Sequence, residues 1–187
     1  MKKLIALLLI AFAGPQLAAQ ENNNSTEMGL LRLDLSAGIY TTKDIRNGIE
    51  YNSNIWGKNS PGTYFATIGF FRYQKIEVGI TAGYQEAYIE DTPVDQLDVT
   101  YFSFLPQIRF NWVTSPDNRF ELYSSVALGL TRVMEDDKTP PNRDESYFVP
   151  GFHINGIGLR FGNKFGGFME LGFGSKGLMS VGLSYRM

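Results

Sequence analysis

The sequence predicts an all-β chain: eight antiparallel strands closed into an up-and-down transmembrane β-barrel. Three observations carry that expectation. Apolar and polar residues alternate at period two through eight separate stretches. The connections between these stretches alternate between long and short. The polar side of the strands collects glycine together with both signs of charge, which suits a closed interior better than a solvated surface.

The first segment lies outside the barrel. Met1 to Ala19 opens with Lys2 and Lys3, runs apolar from Leu4 to Ala13 and exits on Leu17-Ala18-Ala19. This is the pattern of a cleaved signal peptide, and its apolar run is shorter than the ~20 residues a membrane helix needs. Residues 20–28, with the polar stretch Gln20 to Glu27, are expected to be a flexible lead, and 29–187 the barrel. The signal carries two of the 17 basic residues and none of the 19 acidic ones, so the remainder is mildly acidic and offers no nucleic-acid footprint. There is no cysteine, which excludes disulfides and thiolate metal sites. No motif calls for a cofactor.

The first strand is expected over Gly29 to Thr42, with Leu31, Leu33, Leu35, Ala37 and Ile39 on one face and Arg32, Asp34, Ser36 and Gly38 on the other. The second, Thr63 to Tyr73, is less regular, because Phe65 and Phe71 share the face of Thr67 and Gly69. The third, Lys75 to Tyr88, sets Ile76, Val78, Ile80, Ala82 and Tyr84 against Glu77, Gly79, Thr81, Gly83 and Gln85. The fourth, Val99 to Val113, contains Pro106, which cannot donate to a ladder and predicts a bulge. The fifth runs from Phe120 to Val133. The sixth, Tyr147 to Gly162, changes parity between Ile154 and Ile157, so a bulge is expected near Asn155-Gly156. The seventh covers Phe165 to Gly174, and the eighth Leu178 to Met187.

Odd connections are expected to be polar loops over Lys43 to Gly62, Glu86 to Asp98 and Met134 to Ser146, with a short last one at Ser175-Lys176. Even ones are tight: near Gln74, Thr114 to Arg119, and Asn163-Lys164. That asymmetry is the one found between the outer loops and periplasmic turns of outer-membrane barrels. The first loop holds Tyr51, Ile55 and Trp56, a small cap or a contact surface. The acids Glu90, Asp91, Glu135, Asp136, Asp137, Asp144 and Glu145 match no calcium-loop spacing and read as solvated charge.

The polar column decides which face is sealed. Gly79, Gly83, Gly129, Gly158, Gly172 and Gly182 leave room for longer side chains in a narrow barrel. The same column carries Arg32, Asp34, Glu77, Arg109, Arg160 and Glu170, a balanced set expected to form a charge network in the lumen. Facing lipid, each arginine near the midplane would cost about 2–4 kcal/mol. On the apolar column, Tyr64, Tyr84, Phe110, Trp112, Phe161 and Tyr185 gather toward strand ends as interfacial girdles do.

The last strand has Met179, Val181, Leu183, Tyr185 and Met187 in one apolar column, with Ser180, Gly182, Tyr185 and Met187 at the spacing polar-x-Gly-x-x-apolar-x-apolar. It resembles the terminal strand by which outer-membrane barrels are recognised for insertion, with Met187 where Phe or Trp is usual. Together with Gly158 to Gly162 and Glu170 to Gly174, it makes the chain similar to small eight-stranded outer-membrane barrels of the OmpX and OmpA-barrel type, particularly those of Bacteroidetes. The resemblance implies a monomer in the bacterial outer membrane, in contact with outer-membrane lipids and delivered by periplasmic chaperones and the barrel-assembly machinery. Such barrels differ in role, so fold does not fix function.

The expected function is non-enzymatic: a plugged barrel whose surface loops serve envelope support or surface contact. Two alternatives stand beside it. Outer-membrane lipid A deacylases are also eight-stranded barrels and use a His with a Ser two positions on. Here His153, the only histidine, is followed by Asn155 at that place, which cannot act as a nucleophile. A narrow ion pore is the other alternative, opened if lumen pairs exchange partners.

Overall fold

The computed structural model describes residues 32–39, 41, 63–92, 95–137 and 144–187, with only the backbone given for 88–92, 95–97, 137 and 144. Eight strands follow one another: β1 (Arg32–Ile39), β2 (Thr63–Tyr73), β3 (Ile76–Thr92), β4 (Asp95–Thr114), β5 (Phe120–Asp137), β6 (Asp144–Gly162), β7 (Phe165–Gly174) and β8 (Met179–Arg186). Each pairs antiparallel with its neighbours, and β1 closes on β8, so the sheet is an eight-stranded all-antiparallel barrel in sequence order. Closure is what a period-two pattern with no edge-protecting residues requires, since every strand then has a partner on both sides. The signal, the lead and the first loop with Tyr51, Ile55 and Trp56 lie outside the described residues.

The two faces separate cleanly. Leu33, Leu35, Ile68, Ile108, Val126, Ile154, Leu171, Val181 and Leu183 point outward, most of them with around half their surface exposed, while Arg32, Thr67, Glu77, Gln107, Arg109, Asn155 and Arg160 are buried inside. At the end holding the short turns, Phe110 packs edge-on against Trp112 at 4.6 Å, and Phe120 against Phe161 at 5.3 Å. At the other end, Tyr64, Tyr84, Phe102 and Phe148 belong to one outward row, with Tyr84 and Phe102 5.1 Å apart.

Two expected loops are strands instead. β3 continues to Thr92 and β4 begins at Asp95, while β5 continues to Asp137 and β6 begins at Asp144, so Glu86 to Asp98 and Met134 to Ser146 are mostly hairpin. Several of their polar residues belong to the outward column of strands that have risen past the aromatic row. Glu86, Asp98 and Asp136 face out, and Ala87, Val99, Tyr101 and Val133 face in to form a small apolar core with Tyr147 and Val149. Alternation persists there with its polarity inverted, which a composition-based reading takes for loop.

Pro106 makes no bulge. Phe104 pairs with Leu130 and Gln107 with Ala127 in the same register, so only the two intervening pairings to β5 are lost. Proline removes a donor without inserting a residue, and it points outward opposite Ile80 of β3. The expected bulge at Asn155-Gly156 is present: Asn155 pairs with Gly172 and Ile157 with Leu171. Turning its amide gives Asn155 two donated bonds, to the carbonyls of Ile157 at 2.9 Å and Leu171 at 3.0 Å, which fasten the extra residue. A further bulge between Gly69 and Phe71 explains the irregular second strand, because it turns Phe71 out of the inward column and brings Arg72 in.

Three glycines of the inward column face rings. Phe65, Tyr123 and Phe168 are buried inside the barrel, and each sits directly across from a glycine: Gly83, Gly158 and Gly182 respectively. A Cβ at any of the three would strike that ring. The turn between β4 and β5 is held by polar bonds: the Ser115 hydroxyl donates to Asp117 at 2.6 Å and the Arg119 N–H to the same carboxylate at 3.2 Å. Those bonds, the serine's first, hold the Asp117 carboxyl below the ordinary aspartate range.

Gly83→Val is expected to destabilise the barrel by about 1–3 kcal/mol through overpacking. Tryptophan fluorescence during urea unfolding measures it. Adding Phe65→Ala returns part of the loss, since the two side chains contend for one space.

Candidate functional site: the ionic lumen

The interior of an eight-stranded barrel is only wide enough for its own side chains, so charges that point inward must find one another. Arg32, at the start of β1, forms ion pairs through Nε with Asp34 Oδ2 at 2.9 Å and through Nη1 with Glu77 Oε1 at 2.7 Å. Arg109 of β4 reaches Asp34 Oδ2 at 3.9 Å and lies over the Tyr123 ring, 3.1 Å from its centroid. The Tyr123 hydroxyl then donates to Glu170 Oε1 at 3.0 Å. Glu170 Oε2 accepts from Lys176 Nζ at 3.3 Å and from the Ser180 hydroxyl at 3.1 Å. One connected net therefore runs from Glu77 to Lys176 across five strands and a turn.

Nearer the short turns sits a second cluster. Glu121 of β5, fully buried, pairs with Arg186 of β8 and with Arg72 Nη1 of β2 at 3.6 Å. Arg160 lies across the ladder from Glu121 but forms no ion pair with a carboxylate among the described residues. Its Nε donates to the Ser184 hydroxyl at 2.9 Å, and its two terminal nitrogens to the carbonyls of Gly162 at 2.6 Å and Asn163 at 2.7 Å. It thus clasps the β6–β7 turn. Toward the opposite end the lumen becomes neutral: Thr67 bonds Thr81 at 2.8 Å, Thr81 donates to Gln107 at 3.0 Å, and Ser103 bonds Thr131 at 2.9 Å. Leu105, fully buried, fills the middle.

Of the six lumen charges expected from sequence, Arg32, Asp34, Glu77, Arg109 and Glu170 enter the connected net, and Arg160 stands apart with the turn. Sequence reasoning missed Glu121, Arg186, Arg72 and Lys176. Glu121 and Arg186 share the parity of the inward column, so the alternation already held that signal. Arg72 is brought in by a bulge, and Lys176 by a turn whose Gly174 and Gly177 take positive φ, 130° and 93°. In that turn the Leu178 N–H donates to the Ile39 carbonyl at 3.0 Å and the Ser175 N–H to the Phe152 carbonyl at 2.8 Å, folding Lys176 inward until it is 2% exposed. This turn lysine is a buried counter-ion.

In the terminal strand, Ser180 faces the lumen and Gly182 gives way to the Phe168 ring, while Tyr185 and Met187 point outward. His153 lies on the inward side of β6, 2% exposed, and neither ring nitrogen bonds another side chain. It is turned away from the outer surface, and Asn155 is occupied by the bulge. Among the described residues no group of three His, Asp or Glu is placed to hold a metal.

No protein-family model matches the chain, and no curated protein does. Among solved structures, the chain is similar to the N-terminal β-barrel domain of Pseudomonas aeruginosa OprF, at 13% identity and TM-score 0.48 over 86% of this chain and 98% of that one. It is similar also to Ail, the attachment invasion locus protein of Yersinia pestis, at 13% identity and TM-score 0.49 over 84% and 97%. Neisserial surface protein A aligns at 10% identity and TM-score 0.45 over 87% and 97%. The closed eight-stranded architecture rests on this chain's own strand pairing.

Glu121→Ala leaves Arg186 without its carboxylate and is expected to cost about 3–5 kcal/mol. The double variant Glu121→Ala, Arg186→Leu should unfold at higher urea than the single one, because it removes the stranded charge.

Proposed function

We propose that this chain is an integral outer-membrane barrel without catalytic activity, its lumen plugged by its own side chains, serving envelope support or surface contact through its outer hairpins and loops. The observation that carries this reading is the outward face. Between the row of Tyr84 and Phe102 and the row of Phe110 and Trp112, it holds no charged residue among the described strands. From Phe102 to Trp112 a strand rises roughly 33 Å at about 3.3 Å per residue. A tilt near 40° reduces this to about 25 Å, the height of the apolar band of outer-membrane barrels.

The expected partners follow from the same reading. Outer-membrane lipids meet the apolar band. Ser180, Gly182, Tyr185 and Met187 serve as the barrel-assembly signal, presented to the assembly machinery after delivery by periplasmic chaperones, and the barrel works as a monomer. A deacylase-like role is disfavoured by the inward burial of His153, because a lipid ester outside the barrel has no path to that imidazole.

A narrow ion path is the second reading, favoured by one observation: Arg72 and Arg186 both pair with one carboxylate, Glu121, and Arg160 lies directly across the ladder from it. That surplus of positive charge would favour anions over cations in any current the barrel carries.

The protein is expected to stay with membranes through a carbonate wash and to migrate differently on a gel before and after boiling; release by carbonate, or one mobility at both temperatures, refutes the membrane reading. Planar-bilayer recording separates plug from path. A plugged barrel gives a flat trace, whereas stepwise current altered by Glu170→Ala would establish the path.

A further inference from the structure

We infer that a notch on the outer wall of β4, β5 and β6 seats an acyl chain of a phosphorylated outer-leaflet glycolipid, of the lipid A class, with Arg132 on its phosphate. The inference rests on the membrane reading above and deepens it. The notch has a volume of about 490 Å³, and its wall is almost wholly apolar: Phe102, Phe104 and Pro106 from β4, Leu130 from β5 and Phe148 from β6. Its origin is local. Pro106 interrupts the β4–β5 pairing, since Leu105 and Pro106 have no partners on β5, and Gly129 lets the strands close in at that point, where a Cβ would strike the Phe104 carbonyl.

Arg132 stands at the head of this notch. Arg132 lies directly between Phe102 and Phe148 in an outward cross-strand row that continues to Tyr84 and Tyr64, each paired with the next. Arg132 is the single cation in that row of aromatics. An aromatic girdle lies at the level of lipid headgroups, so the guanidinium is held at the depth of their phosphates. Its Nε donates to the Ser146 hydroxyl at 3.0 Å, which fixes the plane of the fork. No ion pair joins it to a carboxylate among the described residues, and the fork matches a phosphate in two-pronged fashion.

Charge selects how such an anion arrives. Glu86 stands on the next outward row, and Asp98 opposite Asp136 on the row after it. These acids oppose a free anion approaching from water. A phosphate tethered to acyl chains comes along the apolar wall instead, from the side the acids leave open. Arg132 is at the end bearing the long hairpins, which the topology sets outside, so the leaflet it meets is the glycolipid one.

The test uses the full mature protein in nanodiscs holding diphosphoryl lipid A and phosphatidylglycerol in equal amounts, with retained lipid counted by native mass spectrometry. Gel mobility before boiling first establishes that each variant is folded, which also tests the membrane reading separately. Wild type should retain lipid A in preference to phosphatidylglycerol. Arg132→Gln should lower lipid A occupancy about fivefold, the effect of one cation at a membrane surface. Leu130→Trp, which fills the notch and keeps the arginine, should lower it as well. Unchanged occupancy in either folded variant overturns the site. Equal retention of both lipids by wild type overturns the assignment to glycolipid.

Discussion

Closing the sheet forces two like charges together. In the pairing of β1 with β8, Arg32 lies directly across from Arg186, and both side chains point into the lumen. Directly opposed like charges destabilise a strand pair even in water, and the effect grows where water is excluded. The barrel resolves the conflict by giving each guanidinium its own carboxylates. Arg32 turns to Asp34 and to Glu77 of β3, and Arg186 turns to Glu121 of β5. Asp34 is on the same strand as Arg32, but Glu77 and Glu121 come from strands elsewhere in the ring. The seam is therefore tolerable only when the rest of the ring is in place, and the ring is complete only when the seam closes. Such mutual dependence couples the ionic net to closure as a single cooperative event.

Space is the companion constraint. With eight strands, any large inward side chain displaces another. Phe65, Tyr123 and Phe168 are accommodated by glycine immediately across the ladder, so ring and hole are paired along one hydrogen-bonded rung. The sequence suggested that these glycines made room for arginine and glutamate. One glycine does so: a Cβ at Gly69 would meet the Glu77 carboxylate. Gly83, Gly158 and Gly182 make room for aromatic rings, and one of those, Tyr123, then links the two halves of the charge net through its face and its hydroxyl.

Parity was the legible part of this fold. The bounds of β2 and β7 follow from alternation to the residue, and so does the inward position of Arg32, Asp34, Glu77, Arg109, Arg160 and Glu170. What escaped has a physical source in each case. Arg72 needs a bulge to reverse the parity of its strand, and the irregular alternation around Phe71 marks the disturbance without locating it. Lys176 needed a glycine-hinged turn that bends inward, while turn lysines ordinarily seek water. Pro106 seemed to demand an inserted residue, yet a missing donor can be absorbed as a gap in one ladder. Pairing of specific acids with specific bases lay beyond reach, because it depends on ring geometry and not on any one strand.

The least legible feature is an inversion of polarity along the strands. Below the row of Tyr84, Phe102 and Phe148, the wall is apolar outside and ionic inside. Above it the same strands carry Glu86, Asp98 and Asp136 outside and pack Ala87, Val99, Tyr101 and Val133 inside. The backbone alternation never changes; the solvent does. Where lipid surrounds the wall, charges gain by turning inward. Where water surrounds it, burying apolar side chains inside is favoured, as in a soluble sheet. An inversion of polarity without an inversion of register has no reason to exist in a barrel bathed throughout by one solvent. Its abrupt placement at a row of tyrosine and phenylalanine, residues at home between hydrocarbon and water, is where the proposed membrane reading sets the boundary between the two media.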